Sequence, residues 1–302
     1  MTRRDVVVTV PGPAVPGHPL VVTVGLPGGS APVVGGTVEL VRRIAYRYRT
    51  GNLYGGRHST VTRSHSVEAR AELTPALTAA LDVPAHSLPT VDASLVEIAW
   101  SLLVRLHGED GTEQTVERSV TVAGPELPAD APAMRPFATD SRHAVVVAFD
   151  PPPPARVAAG DELAGTVVLA AQDEVRVSEV RVELVLTEET FGGPWSPDVP
   201  AARRPADDGM LAETVAAAVP LTGAVVLEPG PALRLPFALP VPERLPGPSV
   251  STDRFALRWS VRAVVDRRLR RRPYASVGVV VGRSEHASDH SVDLDRSVRS
   301  RL

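Results

Sequence analysis

The chain has 302 residues, 43% of them hydrophobic and 22% charged, a length that suits about two domains with buried cores. Its 32 basic and 35 acidic side chains nearly cancel, which argues against a dedicated nucleic-acid binder or a protein held to anionic lipid by bulk charge. The absence of cysteine excludes disulfide frameworks, thiolate metal sites, iron–sulfur clusters and cysteine nucleophiles. Every basic residue is Arg, Ile occurs only at Ile44 and Ile98, and Asn only at Asn52, a usage that shuns A/T-rich codons. Under that bias, 30 Pro and 23 Gly mark turns rather than low complexity.

From the amino terminus, Val6–Val10 predicts a first strand, with no apolar region of signal-peptide length around it. Period-two alternation continues at Val38 and Leu40, then at Ile44, Tyr46 and Tyr48. The best helical stretch, Glu68–Leu81, has Pro75 in its middle and predicts no more than a turn. A closing hairpin pairs Trp100–Arg105 with Gln114–Val122. Residues 124–143 hold four prolines and little periodicity, and read as a linker. Strands then return at Leu163–Leu169, at Val175 and Val177, and at Val180, Val182, Leu184 and Leu186. A second closing hairpin pairs Phe255–Val265 with Pro273–Val281, and residues 283–302 form a polar tail expected to be disordered. The greasiest region, Val215–Leu227, is broken by Pro220 and Gly223 and falls short of the roughly 18 to 20 residues of a membrane span. The expected location is cytoplasmic.

An internal repeat organises these strands. Pro16, Gly17 and Leu20 precede Ala159, Gly160 and Leu163 by 143 residues, and Val38–Val41 precedes Val182–Val185 by 144. Leu81, Val83 and Pro84 match Leu239, Val241 and Pro242 at 158, and Trp100-Ser101 matches Trp259-Ser260 at 159. An offset that only grows is what a duplication with loop insertions in the second copy produces. The expected fold class is all-β: two tandem immunoglobulin-like antiparallel β-sandwiches, residues 1–123 and 144–282, joined by the linker 124–143.

Within the second copy, Pro236-Phe-Ala-Leu-Pro240, then Leu245-Pro-Gly-Pro-Ser249, then Phe255 to Asp266 resemble the arrestin-type amino-terminal domain. In that family a Leu-Pro segment leads through a Pro/Ser turn into a strand ending in a basic hairpin. Gly160–Leu169 and Val177–Leu184 resemble its opening strands, and the first copy keeps the Val-Glu-Leu-Val, Leu-Asp-Val-Pro and Trp-Ser landmarks around a divergent middle. The resemblance implies tandem sandwiches as in arrestins, retromer-associated proteins and bacterial sporulation-control proteins, which act mainly as adaptors without catalysis. It implies a scaffold for protein partners, with sporulation control or stress regulation as the specific bacterial version. No segment matches the phosphate-sensing polar core or clathrin-binding tail of the visual and β-arrestins, so receptor binding does not carry over.

Candidate contact residues follow from charge. Arg267, Arg268, Arg270, Arg271 and Arg272 cluster at the last hairpin tip, where each guanidinium can grip a carboxylate or phosphate; a solvated tip that resists edge aggregation is the ordinary reading. The matching turn of the first copy, His107–Gly111, is acidic, so oppositely charged tips suggest a route to self-association. A second set, Arg42, Arg43, Arg47, Arg49, Arg57 and Arg63, surrounds the Gly-rich connection Thr50–Thr60, which lacks the ending of a phosphate loop. There, Arg43, Arg47 and Arg49 alternate with Tyr46 and Tyr48, giving a polar face and a packed face. Trp195, in the excursion Phe191–Met210, is a further contact candidate, whereas Trp100 and Trp259 are expected in the core.

Glu188 and Glu189, like Asp207 and Asp208, read as loop solvation. His286 and His290 sit in a Ser-rich tail that disfavours a metal site, and no nucleophile elbow occurs. The expected protein is therefore not an enzyme, needs no cofactor or metal, binds protein and not nucleic acid, and touches anionic membrane at most weakly. A peripheral lipid-headgroup binder using the Arg-rich hairpin is the alternative.

Overall fold

The computed structural model describes residues 6–26, 32–51, 57–124, 126, 145–191, 209–267 and 273–282. In the first half the strands are β1 (Val7–Thr9), β2 (Pro19–Gly25), β3 (Val33–Gly51), β4 (Arg57–Glu72), β5 (Thr78–Asp82), β6 (Val91–Asp92), β7 (Val96–Gly108) and β8 (Glu113–Val120). In the second half they are β9 (Val145–Phe149), β10 (Arg156–Ala158), β11 (Glu162–Ala171), β12 (Val175–Val177), β13 (Glu179–Thr190), β14 (Met210–Thr222), β15 (Val225–Leu227), β16 (Leu233–Pro240), β17 (Val250–Ser251), β18 (Phe255–Asp266) and β19 (Tyr274–Gly282). The described residues contain no helix. Around Pro75 the chain makes a tight turn between β4 and β5, closed by Leu77 N–H donating to the Thr74 carbonyl at 2.8 Å.

Each half is a sandwich of a small and a large antiparallel sheet. The small sheets run β1-β2-β5 and β9-β11-β16. The large ones run β4-β3-β7 and β14-β13-β18, with β6 and β8 both on the far side of β7, and β17 and β19 both on the far side of β18. The order is the same in both, so the duplication extends from sequence to topology. Alternation sets the packing: in β2 the side chains of Leu20, Val22 and Val24 are buried while their neighbours are exposed.

Smaller details repeat as well. Gly17 and Gly160 take φ of 80° and 84°, a left-handed turn that favours glycine in each copy. Trp100 donates its indole N–H to the Leu88 carbonyl at 3.0 Å, and Trp259 to that of Gly247 at 3.1 Å, each 12 residues upstream. The hydroxyl of Thr90 accepts from Val122 N–H at 2.8 Å, and that of Ser249 from Val281 N–H at 3.0 Å. The parallel bridge Ala14–Val122 reappears as the parallel pairing of β10 with β19, where Val157 faces Val281. The second half adds a two-stranded sheet, β12-β15.

Every strand pairing lies within one half, yet the buried apolar side chains form a continuous cluster across both. Trp100 and Trp259 anchor it, each 2% exposed. Replacing either by Phe removes the indole donor, leaves a carbonyl without its partner and empties part of the site. Trp100→Phe and Trp259→Phe should each cost about 1–3 kcal/mol in urea unfolding, since the two sites are built alike.

Candidate functional site

The two halves meet at a seam built around one carboxylate. Glu188, near the end of β13, is 1% exposed. One of its oxygens accepts from the Ser94 backbone N–H at 3.0 Å and the Ser94 hydroxyl at 2.7 Å, and the other from Leu95 N–H at 2.6 Å. These donors belong to the turn between β6 and β7. Two residues on, the Thr190 hydroxyl donates to the Arg47 carbonyl at 2.8 Å, so β13 also holds the far part of β3. Tyr46 packs on Phe255 with ring centroids 6.2 Å apart, and burial pushes the Tyr46 phenol above its usual pKa.

The other side of the seam is the turn Leu245-Pro-Gly-Pro-Ser249. Asp92 N–H donates to the Pro246 carbonyl at 2.6 Å. A Cβ on Gly247 would meet Val91 side-chain atoms at 2.9–3.3 Å, which explains why glycine stands where the first copy has Leu88. The same turn therefore caps Trp259 with its carbonyl and receives the first half with its glycine.

Beside the seam lies a basic strip on the β3–β4 ribbon. Tyr46 and Tyr48 are buried, whereas Arg43, Arg47 and Arg49 are exposed on the opposite face. Across the ladder Arg43 stands opposite His65, Ala45 opposite Arg63, Arg47 opposite Val61 and Arg49 opposite Ser59, so Arg63 and His65 share that face. Arg43 is neutralised by Glu117 at 2.6 Å, a contact that holds the Glu117 carboxyl below its ordinary range. Arg47, Arg49 and Arg63 are not ion-paired to any described residue. Arg42 leaves the strip: it pairs with Glu68 at 2.9 Å and lies over the Trp100 ring at 5.9 Å.

Elsewhere on the outer faces several opposite charges pair. Glu39 pairs with Arg105 at 3.3 Å, Arg181 bridges Glu183 and Asp266, and Arg262 reaches Glu213 at 2.8 Å, which holds the Glu213 carboxyl below its ordinary range. At the acidic tip Asp110 folds back on Thr112, accepting from its N–H at 3.0 Å.

Of the predicted contact residues, Arg43 and Arg47 share the strip, and Arg57 opens β4 with its side chain outside the described residues. Arg267 follows β18 and is half-buried, while Arg268, Arg270, Arg271, Arg272 and Trp195 lie outside the described residues, as do the tail histidines His286 and His290. The reading of Glu188 and Glu189 as loop residues is corrected. Both are in β13, where Glu188 continues the inward parity of Val180, Val182, Leu184 and Leu186, and Glu189 faces out to Arg258. That parity was the available signal. The described residues hold no cluster of three His, Asp or Glu suited to a metal, and no helix long and apolar enough to cross a membrane.

No family model and no curated protein matches the chain. Among solved structures it is similar to Spo0M, a sporulation control protein from Bacillus subtilis, at 14% identity and a TM-score of 0.34. The match covers 46% of this chain and 49% of that one, so the chain spans about half the length of the structure it matches.

Glu188→Ala strands two backbone N–H groups and should cost about 2–4 kcal/mol, with faster amide exchange at Ser94 and Leu95; Glu188→Gln, which keeps the shape, should cost less. Acid titration gives a second check. Glu117 and Glu213 have folded pKa values depressed below their unfolded ones, so their contribution is present above the ordinary carboxylate range and is lost as pH falls through the folded values. Thermal midpoints should fall from about pH 5 downward, and the fall should be shallower in Arg43→Gln and Arg262→Gln.

Proposed function

We propose that the chain is a non-catalytic interaction scaffold of the arrestin-like kind, which offers the basic strip of the β3–β4 ribbon to an acidic segment of a protein partner. The observation that carries this reading is the exposure of Arg47, Arg49 and Arg63 on one face of the ribbon without ion pairs to described residues. Guanidiniums spaced two residues apart along a strand stand about 7 Å from one another, a span suited to successive carboxylates or phosphates of an extended segment. Thr190 pins the ribbon at the Arg47 carbonyl, so the strip is presented on a strand held by both halves, which limits the ordering cost of binding. The landmarks Leu245–Ser249 and Phe255–Asp266, which resemble the arrestin-type domain, support the same reading. A regulatory role in sporulation or stress, in the cytoplasm, is the specific form of the proposal.

The test uses the full chain with an oligoglutamate peptide and, separately, vesicles containing anionic lipid. Peptide binding that weakens with salt and falls about tenfold or more in Arg47→Glu/Arg49→Glu/Arg63→Glu supports the reading. Binding that the triple variant leaves unchanged contradicts it. Vesicle co-sedimentation lost in Arg271→Glu but not in the triple variant would favour the lipid-headgroup alternative.

A further inference from the structure

A sheet edge is a row of unpaired N–H and C=O groups, which proteins shield with proline, bulges, brevity or charge. Strand β14 carries Pro220 and a bulge opposite Leu184–Val185, and β16 carries Pro236 and Pro240. Strands β1, β5, β9 and β10 have three to five residues, and β8 shows charges of both signs in Glu113, Glu117 and Arg118. Strand β4 is shielded by charge of one sign. It ends the first large sheet, and among the described residues no strand pairs with its outer side. From Arg57 to Val67 it has no proline, no acidic residue and no register shift against β3, and Arg63 and His65 are exposed on it.

We propose, resting on the basic strip as the binding surface, that the acidic segment adds as a strand to the free edge of β4 and carries its carboxylates at every second residue. Directly opposite residues of an antiparallel pair share a face, so Ser59, Val61 and Arg63 lie on the face of Arg49, Arg47 and Ala45. Arg63 stands directly across from the added strand. Arg49 and Arg47 stand one strand further in, with only the shorter side chains of Ser59 and Val61 between them and the edge. A guanidinium thus serves each of three successive positions on that face, at residues 59, 61 and 63, about 7 Å apart. The opposite face of the same stretch is uncharged at Thr60, Thr62, Ser64 and Ser66, so it asks for no acid at the intervening residues. Charge also decides the occupant. A second copy would set one basic edge against another, whereas an acidic strand matches it. Main-chain pairing supplies affinity and the alternating acids fix the register.

Titration of the full chain with an alternating Glu-Thr peptide, followed by amide exchange and by affinity, tests it. The peptide should slow exchange at every second residue from Ser59 to His65, because only alternate N–H groups of β4 point to its free edge. A peptide held by charge alone gives no such period. A Glu-Glu-Thr-Thr repeat of equal length and charge should bind about tenfold more weakly. N-methylation of the alternating peptide at its Glu or at its Thr residues removes one row of N–H donors; one of the two forms should lose about tenfold or more in affinity while the other binds as the parent does. Binding that Arg47→Glu/Arg49→Glu/Arg63→Glu abolishes, but that leaves the β4 amides unslowed and both N-methylated forms unaffected, would overturn strand addition and keep the strip. Failure of every acidic peptide to bind would overturn both. Slowing of the same amides by protein concentration alone, or by anionic vesicles, would give the edge to a second copy or to lipid and overturn the proposal.

Discussion

A carboxylate taken wholly out of water costs several kcal/mol unless hydrogen bonds replace its hydration, and Glu188 is taken out of water by the opposing half of its own chain. Its three donors all come from the β6–β7 turn. Separating the halves would rehydrate the carboxylate but expose Tyr46, Phe255 and the Val91–Gly247 contact; keeping them together satisfies both demands at once. The seam is thus polar at its centre and apolar around it, and a polar centre of this sort fixes register because only one placement gives every oxygen its donor. The basic ribbon is held by the same strand, since Thr190, two residues on from Glu188, donates to the Arg47 carbonyl.

The duplication shows how a repeated module acquires a specific joint. Sheet order, the glycine turn, the Trp-to-carbonyl bond and the hydroxyl under Val122 or Val281 are common to both copies. Two of the differences lie where the copies touch. Glycine replaces leucine at position 247 so that Val91 can approach, and a glutamate takes an inward position on β13 where the corresponding part of β3 has Ile44. The shared features serve each sandwich alone, whereas these two serve the joint.

The fold was legible in the sequence because half-buried strands write their faces into alternation, as at Leu20, Val22 and Val24, and because the Val-Glu-Leu-Val and Trp-Ser landmarks fell in one order twice. The polar face of the ribbon was legible for the same reason, since Tyr46 and Tyr48 alternate with Arg47 and Arg49. Glu188 was misread because Thr-Glu-Glu-Thr looks like a loop by composition; only strict parity carried past Leu186 places it inside. Strand β14 escaped notice because its alanines carry little alternation, and its bulge opposite Leu184–Val185 breaks what remains. The seam itself had no local signature, since its hydrogen-bonded partners lie 93 to 143 residues apart.

The joint at Glu188 is best tested by the distance between the halves in solution, and a chain without cysteine accepts spin labels cleanly. Cysteines introduced at the exposed positions Val67 and Val226, one in each half, report that distance by double electron–electron resonance. A single narrow distribution that broadens in the Glu188→Ala background is the predicted result. A broad distribution in the unaltered background, or a narrow one that Glu188→Ala leaves unchanged, would contradict the account.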